Sequence, residues 1–116
     1  MSDLLKKLGE LEKKSAALEP TEADRNQYIQ AISNYSNQFI NKIHDTDTFS
    51  LSKANADKLK IDLKKKTLDD LLNLYTNEVV KHGLNPASGG HIGYIPGGGI
   101  YLSAIGDFLA DITNEY

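Results

Sequence analysis

"TLDDLLNLYTNEVVKHGLNP", residues 67–86, carries the signals for both ends of a helix in one short stretch. Thr67 offers a side-chain oxygen to the free amides of a first turn, and Asp70, three positions on, favours the positive helix end. Between them and the stop signal, Leu68, Leu71, Leu72, Tyr75 and Val79 recur at helical spacing and predict one buried stripe. Lys81 and His82 then stand in the last turn, where the helix dipole favours cations. Gly83 suits the left-handed position just beyond, and Pro86 prevents the helix from resuming.

Upstream, Leu4, Leu8, Leu11 and Leu18, with Leu5 beside them and charges between, predict an amphipathic helix over about 2–18. Pro20 ends it. Thr21 and Asp24 repeat the Thr-x-x-Asp start, and Tyr28, Ile32, Tyr35, Phe39 and Ile43 line one face of a second helix running to about residue 43. Ile29, Ser36 and Ile40 widen that stripe, while the opposite face is Asn, Gln and Ser. Residues 44–66 show no sustained period and read as an irregular connection with one short helix near 54–59.

Downstream, "GGHIGYIPGGGIY", residues 89–101, holds six of the nine glycines, interleaved with large apolar and aromatic residues instead of the small polar ones of a linker. Leu102, Ile105, Leu109 and Ile112 describe a closing helix over about 102–114. No strand pattern and no repeat stands out. The fold class is therefore all-α, a helical hairpin plus further helices joined by a Gly-rich loop. The narrow stripes give a modest core, so two arrangements stay open: a hairpin that finishes its core against another chain, or a self-contained monomeric bundle.

Composition limits the chemistry. The 116 residues suit one domain, and 40% hydrophobic with 25% charged residues is an ordinary globular balance. Thirteen basic against sixteen acidic residues give a formal charge of -3, and the longest basic block is Lys64-Lys65-Lys66, which argues against nucleic acid as a partner. Cysteine is absent, so there are neither disulfides nor thiolate metal sites. No run approaches the ~20 apolar residues of a membrane span, and the start resembles no secretory leader, so a cytoplasmic protein is expected.

His44, Asp45 and Asp47 lack a fourth metal ligand at a recognisable spacing and read as a solvated loop. His82 reads as a helix-end cation. His91 is either a hydrogen-bonded structural residue or part of a site with Tyr94. Gly97, Gly98 and Gly99 fit neither a P-loop nor a dinucleotide fingerprint. They do leave backbone with no side chain to obstruct a ligand or another chain, between rigid Pro96 and a helix. A pocket wall and a plain loop are both consistent with that.

The stretch "LNPASGGHIGYIPGGGIYLSAIGDFLADITNEY", residues 84–116, resembles the early region of the group II pyridoxal-phosphate-dependent decarboxylases, the aromatic amino-acid, tyrosine, histidine and glutamate decarboxylases. The matching features are His91, the aromatic-x-Pro of Tyr94-Ile95-Pro96, the small residues Gly97-Gly98-Gly99, then Tyr101 and Gly106-Asp107-Phe108-Leu109. More loosely, "EPTEADRNQYIQAISNYSNQFI" and "TLDDLLNLYTNEVVKHGLNP" resemble the two helices that precede this region in the family, so the likeness spans about 18–116.

The resemblance implies the amino-terminal part of a fold-type I pyridoxal-phosphate enzyme. Residues 1–83 become a helical region that dimerises through its amino-terminal helices, and 84–116 a pocket loop with the first helix leading to a large domain. In such enzymes a lysine of that large domain holds the cofactor as a Schiff base, and an aspartate pairs its ring nitrogen. Carried over, Tyr94, Ile95, Pro96 and Gly97 contact the side chain of an amino-acid substrate, supported by His91, Gly98, Gly99 and Tyr101. No catalytic residue of the family falls within these 116 positions, and Lys81 is their last lysine. The piece is expected to be silent alone and to bind no cofactor. Three glycines replace the threonine and serine that follow the proline in aromatic amino-acid decarboxylases, which leaves the substrate open. A free-standing helical interaction module without catalysis is the competing expectation.

Overall fold

The computed structural model describes residues 2–62, 64–92 and 99–114; of the expected site, Tyr94, Ile95, Pro96, Gly97 and Gly98 lie outside them. The chain is mostly helical. It runs α1 (Ser2–Ser15), a 3-10 turn (Ala16–Leu18), α2 (Glu22–Lys42), a 3-10 turn (Ile43–Asp45), β1 (Phe49–Ser50), α3 (Leu68–Tyr75), a π turn (Thr76–Val80), β2 (Gly83–Leu84) and α4 (Tyr101–Thr113).

Both Thr-x-x-Asp starts form as read. At α3, Thr67 Oγ1 accepts the Asp70 amide at 3.1 Å, and Asp70 Oδ2 accepts the Thr67 amide at 3.0 Å and its hydroxyl at 2.7 Å. The same reciprocal box stands before α2, with the Asp24 amide on Thr21 Oγ1 at 3.2 Å and the Thr21 amide on Asp24 Oδ2 at 3.0 Å. Each box satisfies donors that the first helical turn leaves unpaired. At the other end α3 widens: the Lys81 amide reaches back five residues to the Thr76 carbonyl at 3.2 Å. Gly83 then takes φ +73°, the left-handed conformation expected of it. Asn114 ends α4 in the same conformation at φ 54°.

Two expectations for the connection 44–66 are corrected. The short helix near 54–59 is instead a pair of overlapping turns, with Lys58 N on Asn55 O at 3.0 Å and Leu59 N on Ala56 O at 3.2 Å. Strand is also present, since Phe49 pairs with Leu84 and Ser50 with Gly83 in a short antiparallel ladder. Two residues per strand are too few for alternation to show.

The chain divides into two units, residues 1–38 and 39–116. In the first, α1 and α2 follow one another without extended lateral packing, so the expected hairpin is present as two consecutive helices and not as a packed pair. In the second, the ladder ties the end of α3 to the segment after α2. The helical stripes lie where the periodicity put them, but their burial is corrected. Among the described residues no hydrophobic side chain is buried; Leu71, Tyr75 and Val79 of the α3 stripe stay about half exposed. A stripe buries only against a second apolar surface, and within each unit these helices meet none along their length.

Candidate functional site

Among the described residues the two that are buried, Glu78 and Ser88, are polar, and each is the centre of a clasp. Ser88 belongs to the turn after β2, where Asn85-Pro86 breaks the chain direction. Asn85 N donates to Thr48 O at 2.8 Å, continuing the ladder by one bond. The Ser88 hydroxyl donates to Thr46 O at 2.8 Å and lies 3.3 Å from Thr48 Oγ1. Its own carbonyl receives the His91 amide at 3.0 Å. The stretch 85–91, which begins the glycine segment, is thereby held against 46–48. Gly90 is required by closeness: a Cβ there would stand 2.5 Å from Thr48 Oγ1.

The second clasp holds the loop after β1 to the π turn. Glu78 is 7% exposed, and its carboxylate accepts the Asn55 amide on Oε2 and the Lys58 ammonium on Oε1, both at 2.7 Å. These bonds hold its carboxyl below the ordinary range, the Lys58 bond first, against the opposing effect of burial. His82 bridges the same elements: Nε2 lies 2.8 Å from the Asn77 carbonyl and Nδ1 2.8 Å from Ser52 Oγ. A carbonyl only accepts, so Nε2 carries the hydrogen. Beyond the helix-end role expected of it, His82 is a crosslink between α3 and the loop.

Between the end of α2, the α3 end and the turn after β2 lies a concavity of about 340 Å³. Phe39, Tyr75 and Val79 form one side, Leu84 to Ala87 another, and Gly99 closes a third. Its walls are polar and apolar in about equal measure. Asn85 supplies a polar group: Oδ1 accepts the Ala87 amide at 3.2 Å, while Nδ2 is buried with no partner among the described residues. In size the concavity falls within the range of small-molecule sites.

Of the expected site residues, Gly99 lines this concavity. His91 is half-buried, fixed through its backbone amide. Tyr101 opens α4, about half exposed. Among the described lining residues there is no lysine or arginine, and Lys81 Nζ donates to Asn77 Oδ1 at 2.6 Å. These residues therefore do not fit the anchoring of pyridoxal phosphate, and no chemical step through it belongs to them. Among the described residues no three His, Asp or Glu side chains are grouped as metal ligands. No helix of the described residues is long and apolar enough to cross a membrane.

Glu78, Ser88, Thr48 and Asn55 were not singled out by the sequence. One signal existed: Glu78 falls seven residues after Leu71 and three after Tyr75, an acidic residue on the apolar stripe. The others are small polar residues whose partners lie far away along the chain. No protein-family model, no curated protein and no solved structure matches the chain.

Proposed function

We propose that this chain is the amino-terminal, pocket-lining region of a pyridoxal-phosphate-dependent amino-acid decarboxylase, a carboxy-lyase acting as a cytoplasmic homodimer. One observation supports the reading most. Described parts of the motif that resembles that family, Leu84 to Ala87 and Gly99, border one concavity together with Phe39 and Tyr75. In this reading the intervening Tyr94, Ile95, Pro96 and Gly97 meet the substrate side chain, and His91, Gly98 and Tyr101 support them. When bound, the cofactor supplies the electron sink for the bond broken at the α-carbon, and its anchoring lysine comes from polypeptide outside these residues. The role of this chain is to exclude water and to bound the space for the side chain.

The bare apolar faces favour a second reading, a helical interaction module without catalysis. Expression of the chain with and without the coding sequence that follows Tyr116 separates them. The decarboxylase reading expects carbon dioxide release from an amino acid, with added pyridoxal phosphate, only from the longer polypeptide. A downstream sequence without a lysine-bearing large domain, or a longer polypeptide inactive on every amino acid offered, leaves the module.

A further inference from the structure

We propose that Ser52 and His82 form a nucleophile and base pair that opens a carboxylic ester, Ser52 taking up the acyl group. The ladder places both residues. Ser50 of β1 pairs with Gly83 of β2, so the antiparallel chain just beyond Ser50 passes the end of the π turn. There Ser52 Oγ lies 2.8 Å from His82 Nδ1. The other ring nitrogen, Nε2, lies 2.8 Å from the Asn77 carbonyl.

The direction of these hydrogen bonds follows from that carbonyl. It has no hydrogen to give, so Nε2 keeps the proton and Nδ1 presents its lone pair. The Ser52 hydroxyl therefore donates to Nδ1. A crosslink between α3 and the loop is served by either tautomer; the Asn77 carbonyl holds the one that makes Nδ1 a base. A nucleophile, a base and a group that orients the base, all within hydrogen-bond reach, are the arrangement of covalent catalysis by serine. The Lys81 carbonyl, 3.4 Å from Ser52 Oγ, is the longer and weaker alternative acceptor. With the Ser52 hydrogen on His82, the 2.6 Å contact between Ser50 Oγ and Ser52 Oγ is a bond that Ser50 donates.

Two further observations suit the pair to chemistry. Ser52 is exposed and His82 half-buried, so a substrate reaches the oxygen while the ring stays fixed. The Glu78 carboxylate, which Lys58 shares, lies close enough to His82 for their charges to attract, which favours the imidazolium formed when the ring takes a proton. In the first step Ser52 Oγ bonds to the ester carbonyl carbon and its proton passes to Nδ1. The bond from that carbon to the leaving alcohol breaks, and the alcohol oxygen takes the proton. Water then bonds to the acyl carbon and gives a proton to Nδ1; the carboxylic acid departs as Ser52 Oγ recovers that proton. The Ser50 hydroxyl, already beside Ser52 Oγ, is the donor at hand for the oxyanion of each step. This activity does not rest on the decarboxylase reading.

A fluorophosphonate, which traps activated serine hydroxyls, tests it on the 116-residue chain, with peptide mass spectrometry to locate the adduct. Ester cleavage is read as nitrophenolate release from p-nitrophenyl acetate, less that of Ser52→Ala. Ser52 is expected to react more than about tenfold faster than any other serine, and His82→Gln to lower labelling and cleavage about 100-fold. Exchange protection of the Asn85 amide, bonded to the Thr48 carbonyl, shows whether the ladder survives in that variant. Where it does not, His82→Gly with added imidazole decides: restored labelling of Ser52 supports the pair, and its failure overturns it. The proposal is equally overturned by Ser52 labelling no faster than other serines, by undiminished rates in His82→Gln, or by labelling without ester cleavage.

Discussion

Glu78 Oε2 receives the backbone amide of Asn55 at 2.7 Å, joining residues 23 positions apart through a nearly buried carboxylate. The π turn presents that carboxylate, since the wider register of 76–80 interrupts the regular helix at this point. Glu78→Gln keeps the shape but loses the charge that binds Lys58, and sets an amide that can donate against donors. The Asn55 and Lys58 amides are expected to lose hydrogen-exchange protection, while the α3 amides between Leu71 and Tyr75 keep theirs. Equal loss in both places refutes a local latch.

The same carboxylate gives a pH dependence with a fixed sign. Its folded-state pKa lies below the ordinary 4.5, so the unfolded chain binds more protons in that range. The stabilisation is complete above pH 4.5 and is lost as pH falls through the lowered value. Asp70, held below its ordinary 3.8 chiefly by the Thr67 hydroxyl, adds a second acid-labile contribution at α3. Acid titration followed by exchange at Asn55 is expected to show protection constant above about pH 5 and falling below it. In Glu78→Gln that fall disappears at Asn55, and the acid response at the start of α3 remains.

Thr67→Ala removes the oxygen that accepts the Asp70 amide, at an expected cost of about 1 kcal/mol. Thr67→Ser retains the oxygen and is expected to be near neutral. Thermal unfolding by circular dichroism distinguishes them. Equal effects of Ala and Ser would show that the methyl group matters and the cap does not.

The caps were legible because a capping box is local: two side chains three apart meet whenever the helix forms. Gly83 was legible for the same reason, as the stop signals crowd around it. Glu78 and Ser88 were hidden because their meaning lies 20 to 42 residues away, on Lys58, Asn55 and Thr46. Helical periodicity correctly placed the apolar faces on Leu71, Tyr75 and Val79 but could not reveal whether a surface in the same unit covers them. Of the site, the sequence led to Gly99 through its glycine run, while Phe39 and Tyr75 had registered only as members of helical stripes.

Gly83 and Gly9 make opposite tests of backbone freedom. An added Cβ meets nothing within 4 Å at either position, so packing does not decide the outcome. At Gly83 the positive φ strains any L side chain, and Gly83→Ala is expected to destabilise by about 1 kcal/mol. Gly9 lies inside α1, where Gly9→Ala is expected to stabilise the helix by about 0.5–1 kcal/mol. Helix content and unfolding midpoint of the two variants give the signs directly.

Gly90 differs from both, because there space decides. Its Cβ would stand 2.5 Å from Thr48 Oγ1 and 3.8 Å from Thr48 Cβ, so the hydroxyl is the obstacle and the rest of the side chain is in ordinary contact. Gly90→Ala is expected to push 85–91 away from 46–48, exposing the Ser88 hydroxyl that now donates to Thr46 O. Thr48→Ala alone loses the weak 3.3 Å contact with Ser88 and little else, since the Thr48 carbonyl still accepts from Asn85. The double variant removes the colliding atom, so its destabilisation should fall short of the two single effects summed, by an amount on the order of 1 kcal/mol. A double-mutant cycle read by chemical denaturation, with exchange at the Asn85 amide as the local probe, measures that coupling. Strict additivity would mean that Gly90 is tolerated by loop movement and that the clasp between the two segments is looser than its hydrogen bonds indicate.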